Sequence, residues 1–220
     1  MIHKIIALGD CNTLGADRLE GKSFPERLGK LIGAEVMNLG LTMATTREGI
    51  NLLLDSSLDD VDCVFIQFGL VDSYKTFKFS PYILYYPDNF LRKQIRSVVK
   101  KYKKICRKIG LNKYLGEINL VTIDEYEDNI REMIELVSPR TVVLIDTVPN
   151  KELERNSEIR RYNNILTSIY DEYENCIKVN IYADFEENLD IFYLDQTHCN
   201  ERGYDYIAQK IYEELRGKLV

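Results

Sequence analysis

Five short runs of aliphatic and β-branched residues punctuate the chain, at 4–8, 35–39, 63–68, 141–147 and 177–181. Each is too short for a helix and continuous in its apolar character, the pattern of a strand covered on both faces. Between them apolar residues recur at helical spacing, over 25–32, 46–54, 123–137, 157–173 and 201–215. This alternation predicts an α/β fold in which helices on both faces cover a parallel sheet with right-handed crossovers. In open sheets of this kind, ligands bind beyond the C-terminal ends of the strands.

The alternation breaks from about residue 73 to 122, which reads as a helical insertion after the third strand of a single domain spanning 1–220. The insertion opens with an aromatic stretch, Tyr74 to Pro87, placed to form a substrate wall or the insertion's own small core. Residues 91–116 then carry ten Lys and Arg and no Asp or Glu, so a chain of net charge −6 leaves −16 for the remainder. Ile95, Val98, Val99, Tyr102, Ile105, Cys106 and Ile109 give that segment one apolar stripe at helical spacing. Two readings stand: a helix docked on its own domain with a solvated face, or an attractor for an anionic partner. Such a partner would be a membrane surface, an acidic glycan carrier, an acyl carrier protein or an acidic patch of a second subunit. Nucleic acid is not expected, because the overall pI is about 5.2 and no nucleic-acid-binding motif accompanies the basic helix.

With 220 residues, 45% of them hydrophobic, and no linker-like stretch, the chain can bury one substantial core. No apolar run reaches the ~20 residues of a membrane span, and a strand begins where a signal peptide would lie, so a cytoplasmic protein is expected. The five cysteines (Cys11, Cys63, Cys106, Cys176 and Cys199) are scattered without metal-ligand spacing, and neither a metal nor a cofactor is expected. A reducing compartment would keep Cys11 a free thiol. No nucleotide-binding loop is present.

The candidate chemistry lies at the two ends of the chain. Gly9-Asp10-Cys11 closes the first strand and presents a thiol in the turn above the sheet edge, while Asp195 and His198 stand three residues apart near the C-terminus. A thiol becomes a good nucleophile when an imidazole takes its proton, and a carboxylate holds that imidazole in the required tautomer. Cys199 is an alternative thiol or a disulfide partner. His3, at the opposite end of the first strand, is expected to be structural or exposed.

These segments resemble the SGNH (GDSL-type) hydrolase family. Its arylesterase and carbohydrate-esterase branches often read Gly-Asp-Ser-Asn-Thr where this chain has Gly9-Asp10-Cys11-Asn12-Thr13, with cysteine in place of serine. The family's Asp-x-x-His matches Asp195 to His198, and the blocks after the second and third strands fall at 38–46 and 69–72. The resemblance implies a three-layer flavodoxin-like fold with a parallel five-stranded sheet in the order 2-1-3-4-5. It also implies a Cys11-His198-Asp195 site, and it assigns Asp10 and Asn12 to the nucleophile turn as orienting or substrate-contacting groups, with Asp10 alternatively a turn carboxylate that accepts backbone N–H bonds. Two oxyanion positions depart from the family: Met43 replaces its glycine and Val71 its asparagine. Met43 keeps a backbone N–H, Gly40 is a weaker stand-in, and Val71 has no side-chain donor. Asp72 matches a loop-supporting aspartate, and Tyr162-Asn163 a pair beside the cleft. The implied activity is hydrolysis of a small ester such as an O-acetylated saccharide. Two alternatives remain: an acyltransferase in surface-polysaccharide synthesis that passes a thioester to a sugar hydroxyl, and a catalytically silent binding or scaffold protein.

Overall fold

The computed structural model describes residues 2–218. Among these residues seven strands form: β1 (Lys4–Gly9), β2 (Glu35–Asn38), β3 (Cys63–Gln67), β4 (Lys75–Phe77), β5 (Glu117–Asn119), β6 (Thr141–Ile145) and β7 (Cys176–Val179). Five of them make one parallel sheet in the order β2-β1-β3-β6-β7. This is the expected 2-1-3-4-5 connectivity, with β4 and β5 interposed in the sequence.

The sheet is closed on both faces because its residues alternate between two cores. Ile5 and Ala7 of β1, Cys63 and Phe65 of β3, and Val143 and Ile145 of β6 face one core. There they meet α2 (Phe24–Ile32), α8 (Tyr182–Glu187), α9 (Leu189–Phe192) and α10 (Glu201–Lys218), through Phe24, Leu28, Phe185, Tyr204, Ile207 and Ile211. Ile6, Leu8, Val64, Ile66, Val142 and Leu144 face the other core, with α3 (Thr46–Leu54), α6 (Ile123–Val137) and α7 (Asn156–Tyr170). Helix α3 begins with a capping box in which Thr45 and Glu48 satisfy each other's backbone donors.

The insertion holds α4 (Phe90–Lys108) and α5 (Leu111–Leu115), and it is based on the short antiparallel pair β4–β5, which the sequence pattern did not reveal. Within α4 only Arg96 and Cys106 are buried. The apolar stripe is therefore docked only in part: Cys106 is buried and Val99 half-buried, whereas Ile95, Val98, Tyr102, Ile105 and Ile109 are exposed. Among the described residues no helix is long and apolar enough to cross a membrane.

Candidate active site

β1 delivers the Gly9-Asp10-Cys11 turn. A Cβ on Gly9 would lie 2.0 Å from Thr13 Oγ1, so only glycine lets the chain fold back this tightly. Asp10 caps the four-residue helix α1 (Cys11–Leu14), its carboxylate accepting the Asn12 N–H at 2.9 Å. Cys11 therefore stands at the first position of α1, half-buried at the C-terminal sheet edge.

The second half of the site is a loop pinched off by a β-bridge between Tyr193 and Cys199, with the Leu194 N–H donating to the His198 carbonyl at 2.8 Å. Inside it, Asp195 Oδ1 accepts the N–H groups of Thr197 and His198 at 2.7 and 2.8 Å, and Oδ2 meets His198 Nδ1 at 2.7 Å. The loop is tied from two sides. Asn12 donates to the Thr197 carbonyl at 3.2 Å and accepts the Cys199 N–H at 3.0 Å, and Asn150, after β6, donates to Thr197 Oγ1 at 3.0 Å.

Electrostatics distinguishes the groups. Partial burial pulls Asp195 upward, but the His198 ring and two backbone N–H groups outweigh it and hold the carboxyl below its usual range. Burial pushes Asp10 up to about 6, an effect moderated by the Asn12 N–H and by the charges of His198 and Arg155. Burial, reinforced by Asp10, pushes the Cys11 thiol well above its ordinary value. Cys11 lies within hydrogen-bonding reach of Asp10, and no hydrogen bond joins its sulfur to His198 among the described residues. Cys199 is fully buried with its thiol also pushed up, and all five cysteines are free, so neither alternative role for it is realised.

The positions that depart from the family pattern, Met43 and Val71, lie in two of the loops at this edge. Met43 adopts a left-handed backbone, φ 66°, in the turn closed by the Ala44 N–H on the Leu41 carbonyl. The conformation natural to glycine is thus retained by a methionine. Gly40 is not a stand-in: its N–H is committed to Asn38 Oδ1 at 2.9 Å, and a Cβ there would press on the Leu14 backbone. Asn12 is buried with its amide occupied by the loop, which it clamps against the Cys11 turn. Asp10 likewise caps α1 from a buried position. Val71 is buried and offers no donor.

Arg155, unmarked by any motif, reaches the backbone next to Val71. Its Nη2 donates to the Leu70 carbonyl at 2.6 Å, its guanidinium lies 5.0 Å from the centre of the Tyr74 ring, and its charge is felt at both Asp10 and Cys11. Only proximity to Leu70 and Val71 in three dimensions reveals it.

Asp72 supports the Met43 turn's neighbour: Oδ1 accepts the N–H and hydroxyl of Thr46 at 2.9 and 2.8 Å, and burial pushes its carboxyl up to about 7. Asn163 braces Thr147 through both its N–H and its carbonyl, and Tyr162 donates to the Val121 carbonyl; both are buried. His3 is exposed at the start of β1. Among the described residues no cluster of three or more His, Cys, Asp or Glu side chains could hold a metal ion.

A family model described as GDSL-like lipase/acylhydrolase matches residues 5–211. The chain belongs to that family. No curated protein sequence matches it significantly. Among solved structures, this GDSL-family chain is similar to a lipase/acylhydrolase from Enterococcus faecalis, at 18% identity and TM-score 0.69, with 99% of this chain and 97% of that one covered. It is also similar to a catalytic mutant of an acetylxylan esterase from Geobacillus stearothermophilus, at 20% identity and TM-score 0.61, covering 97% and 94%. The C-terminal catalytic domain of a peptidoglycan O-acetyltransferase from Streptococcus pneumoniae shares the fold at 13% identity and TM-score 0.58, covering 99% and 94%.

Proposed function

We propose that this GDSL-family chain cleaves a small ester, such as an O-acetylated saccharide, through a thioester on Cys11. The observation that carries the reading is the 2.7 Å contact between Asp195 and His198 on a loop that Asn12 holds against the Cys11 turn. With Nδ1 engaged by the carboxylate, Nε2 is the nitrogen left for proton transfer.

Because the thiol's pKa is raised, Cys11 rests as S–H and works in the manner of a serine rather than as a preformed thiolate. As sulfur attacks the acyl carbon, its proton passes to His198 and the carbonyl electrons move to oxygen. The tetrahedral oxyanion meets the N–H groups of Cys11 and Met43, together with the Arg155 guanidinium in place of the family's asparagine. Collapse breaks the carbon–oxygen bond, and the departing alcohol takes the proton from His198. Water then attacks the thioester with His198 as base, releasing the acid and regenerating the thiol. Transfer to a sugar hydroxyl in place of water is the second reading, favoured by the shared fold with a peptidoglycan O-acetyltransferase.

The test is intact-mass spectrometry after incubation with p-nitrophenyl acetate. A stoichiometric acetyl adduct on Cys11, absent from Cys11→Ala and strongly reduced in His198→Ala, is expected. Chasing the adduct with water or with sugars separates hydrolysis from transfer. No adduct on Cys11 would favour the silent binding protein.

A further inference from the structure

A cavity of about 390 Å³ lies beside the site, enclosed by α4, the β4 strand and the 81–85 segment. Phe77, Ile83, Val99 and Leu120 give it apolar walls, and Met43 and Tyr74 belong to its lining. Tyr74 is the ring packed beneath Arg155, so the cavity and the Cys11 turn share a boundary. Its lining contains no acidic residue.

The cations in that lining divide into two sets. Arg96 and Lys75 are paired, with Asp88 at 2.6 Å and Glu158 at 3.7 Å. Lys100, Lys103, Lys104 and Arg107 pair with no carboxylate among the described residues. Three of them contact aromatic groups of the same wall: Lys100 at 5.4 Å from the Tyr85 ring centre, Lys103 at 6.0 Å from that of Tyr82, and Arg107 through a 3.1 Å hydrogen bond to the Tyr74 hydroxyl. Lys103 is half-buried, and burial followed by the neighbouring Arg107 lowers its pKa. Uncompensated positive charge beside apolar space in a partly dry wall is best satisfied by a ligand carrying an anion and an alkyl chain together.

We propose that this cavity binds a single-chain amphiphile with an anionic headgroup, the chain against Phe77, Ile83, Val99 and Leu120 and the anion among Lys100, Lys103, Lys104 and Arg107. As the substrate class of the neighbouring site it rests on the ester-cleaving reading, and it replaces the saccharide named there as an example with an ester whose non-reacting half is an anionic lipid-like group.

The probe is decyl phosphate below its critical micelle concentration, titrated calorimetrically into the Cys11→Ala protein so that turnover plays no part. The expected result is saturable one-to-one binding at least tenfold tighter than for decanol or for inorganic phosphate. Lys103→Ala combined with Lys104→Ala should weaken decyl phosphate about tenfold and leave decanol unchanged. Val99→Trp, which fills the space, should abolish binding of both in a protein whose circular dichroism is unchanged. Equal affinity for decanol and decyl phosphate, no saturable binding, or binding only to phosphatidylglycerol vesicles would overturn the proposal. Decyl phosphate binding without any acylation of the parent protein would sink the ester-cleaving reading and leave the binding site intact.

Discussion

Asn12 and Cys199 are 187 positions apart in sequence, yet the Asn12 side chain accepts the Cys199 N–H at 3.0 Å. Its other end donates to the Thr197 carbonyl, so one amide sets where His198 stands relative to Cys11. Asn12→Ala would strand a buried N–H, at a cost of about 1–3 kcal/mol, and would free the loop. Acylation by p-nitrophenyl acetate should slow at least tenfold in a protein with unchanged circular dichroism and a lower melting midpoint. Asn12→Asp, which keeps the acceptor, should retain more of the rate. An unchanged rate in Asn12→Ala would show that the loop holds itself.

If the Arg155 guanidinium replaces the donor absent at Val71, Arg155→Ala should lower the acylation rate by ~10²–10³, the usual effect of losing one oxyanion donor. Val71→Asn in that background should recover part of the loss. Equal rates for parent and Arg155→Ala would confine the oxyanion donors to the backbone.

The Cys11 thiol is pushed up by burial and then by Asp10, so its thiolate, the form that alkylates, is scarce at neutral pH and grows as pH rises. Asp10→Asn removes the nearby negative charge, lowers the thiol's pKa and should raise the rate of iodoacetamide labelling at Cys11 across alkaline pH. In the parent protein the repulsion from Asp10 fades as pH falls through about 6, where that carboxyl takes up its proton. Labelling mapped by peptide mass should show this order; a slower Asp10→Asn would mean that Asp10 draws the thiol's proton away instead.

Met43 holds φ 66°, where an L side chain costs about 1–2 kcal/mol. Met43→Gly removes that strain, partly offset by about 0.5–1 kcal/mol for the greater freedom of unfolded glycine. A small rise in melting midpoint with acylation retained is expected, and Met43→Val, β-branched at positive φ, should lower the midpoint. A fall for the glycine variant would show that the Met43 side chain stabilises the turn by packing.

The five sheet strands were legible because Ile5 to Leu8 or Val142 to Ile145 must fill two cores at once, which leaves no polar position in the run. The Asp195 and His198 pairing was legible from spacing alone. Three features were not. Strands β4 and β5 are too short to carry a period. Arg155 acts across a separation of 85 residues from Leu70 and belongs to no local pattern. The stripe on α4 announces an apolar face through its spacing, but periodicity carries no information on what covers that face, and here Val99 and Cys106 turn inward while Ile95, Val98, Tyr102, Ile105 and Ile109 meet solvent.

Helix α4 contributes only Arg96 and Cys106 to the interior, whereas β1 and β3 are closed in by helices on both sides. Elements held by so little apolar contact open at a fraction of the global unfolding free energy. The insertion is therefore a cooperative unit of its own, and its amide hydrogens should exchange with solvent well ahead of those in the central strands. Any molecule lodged against it adds its binding free energy to the closing of the helix. Affinity at that wall and the exchange lifetime of α4 are two readings of one equilibrium.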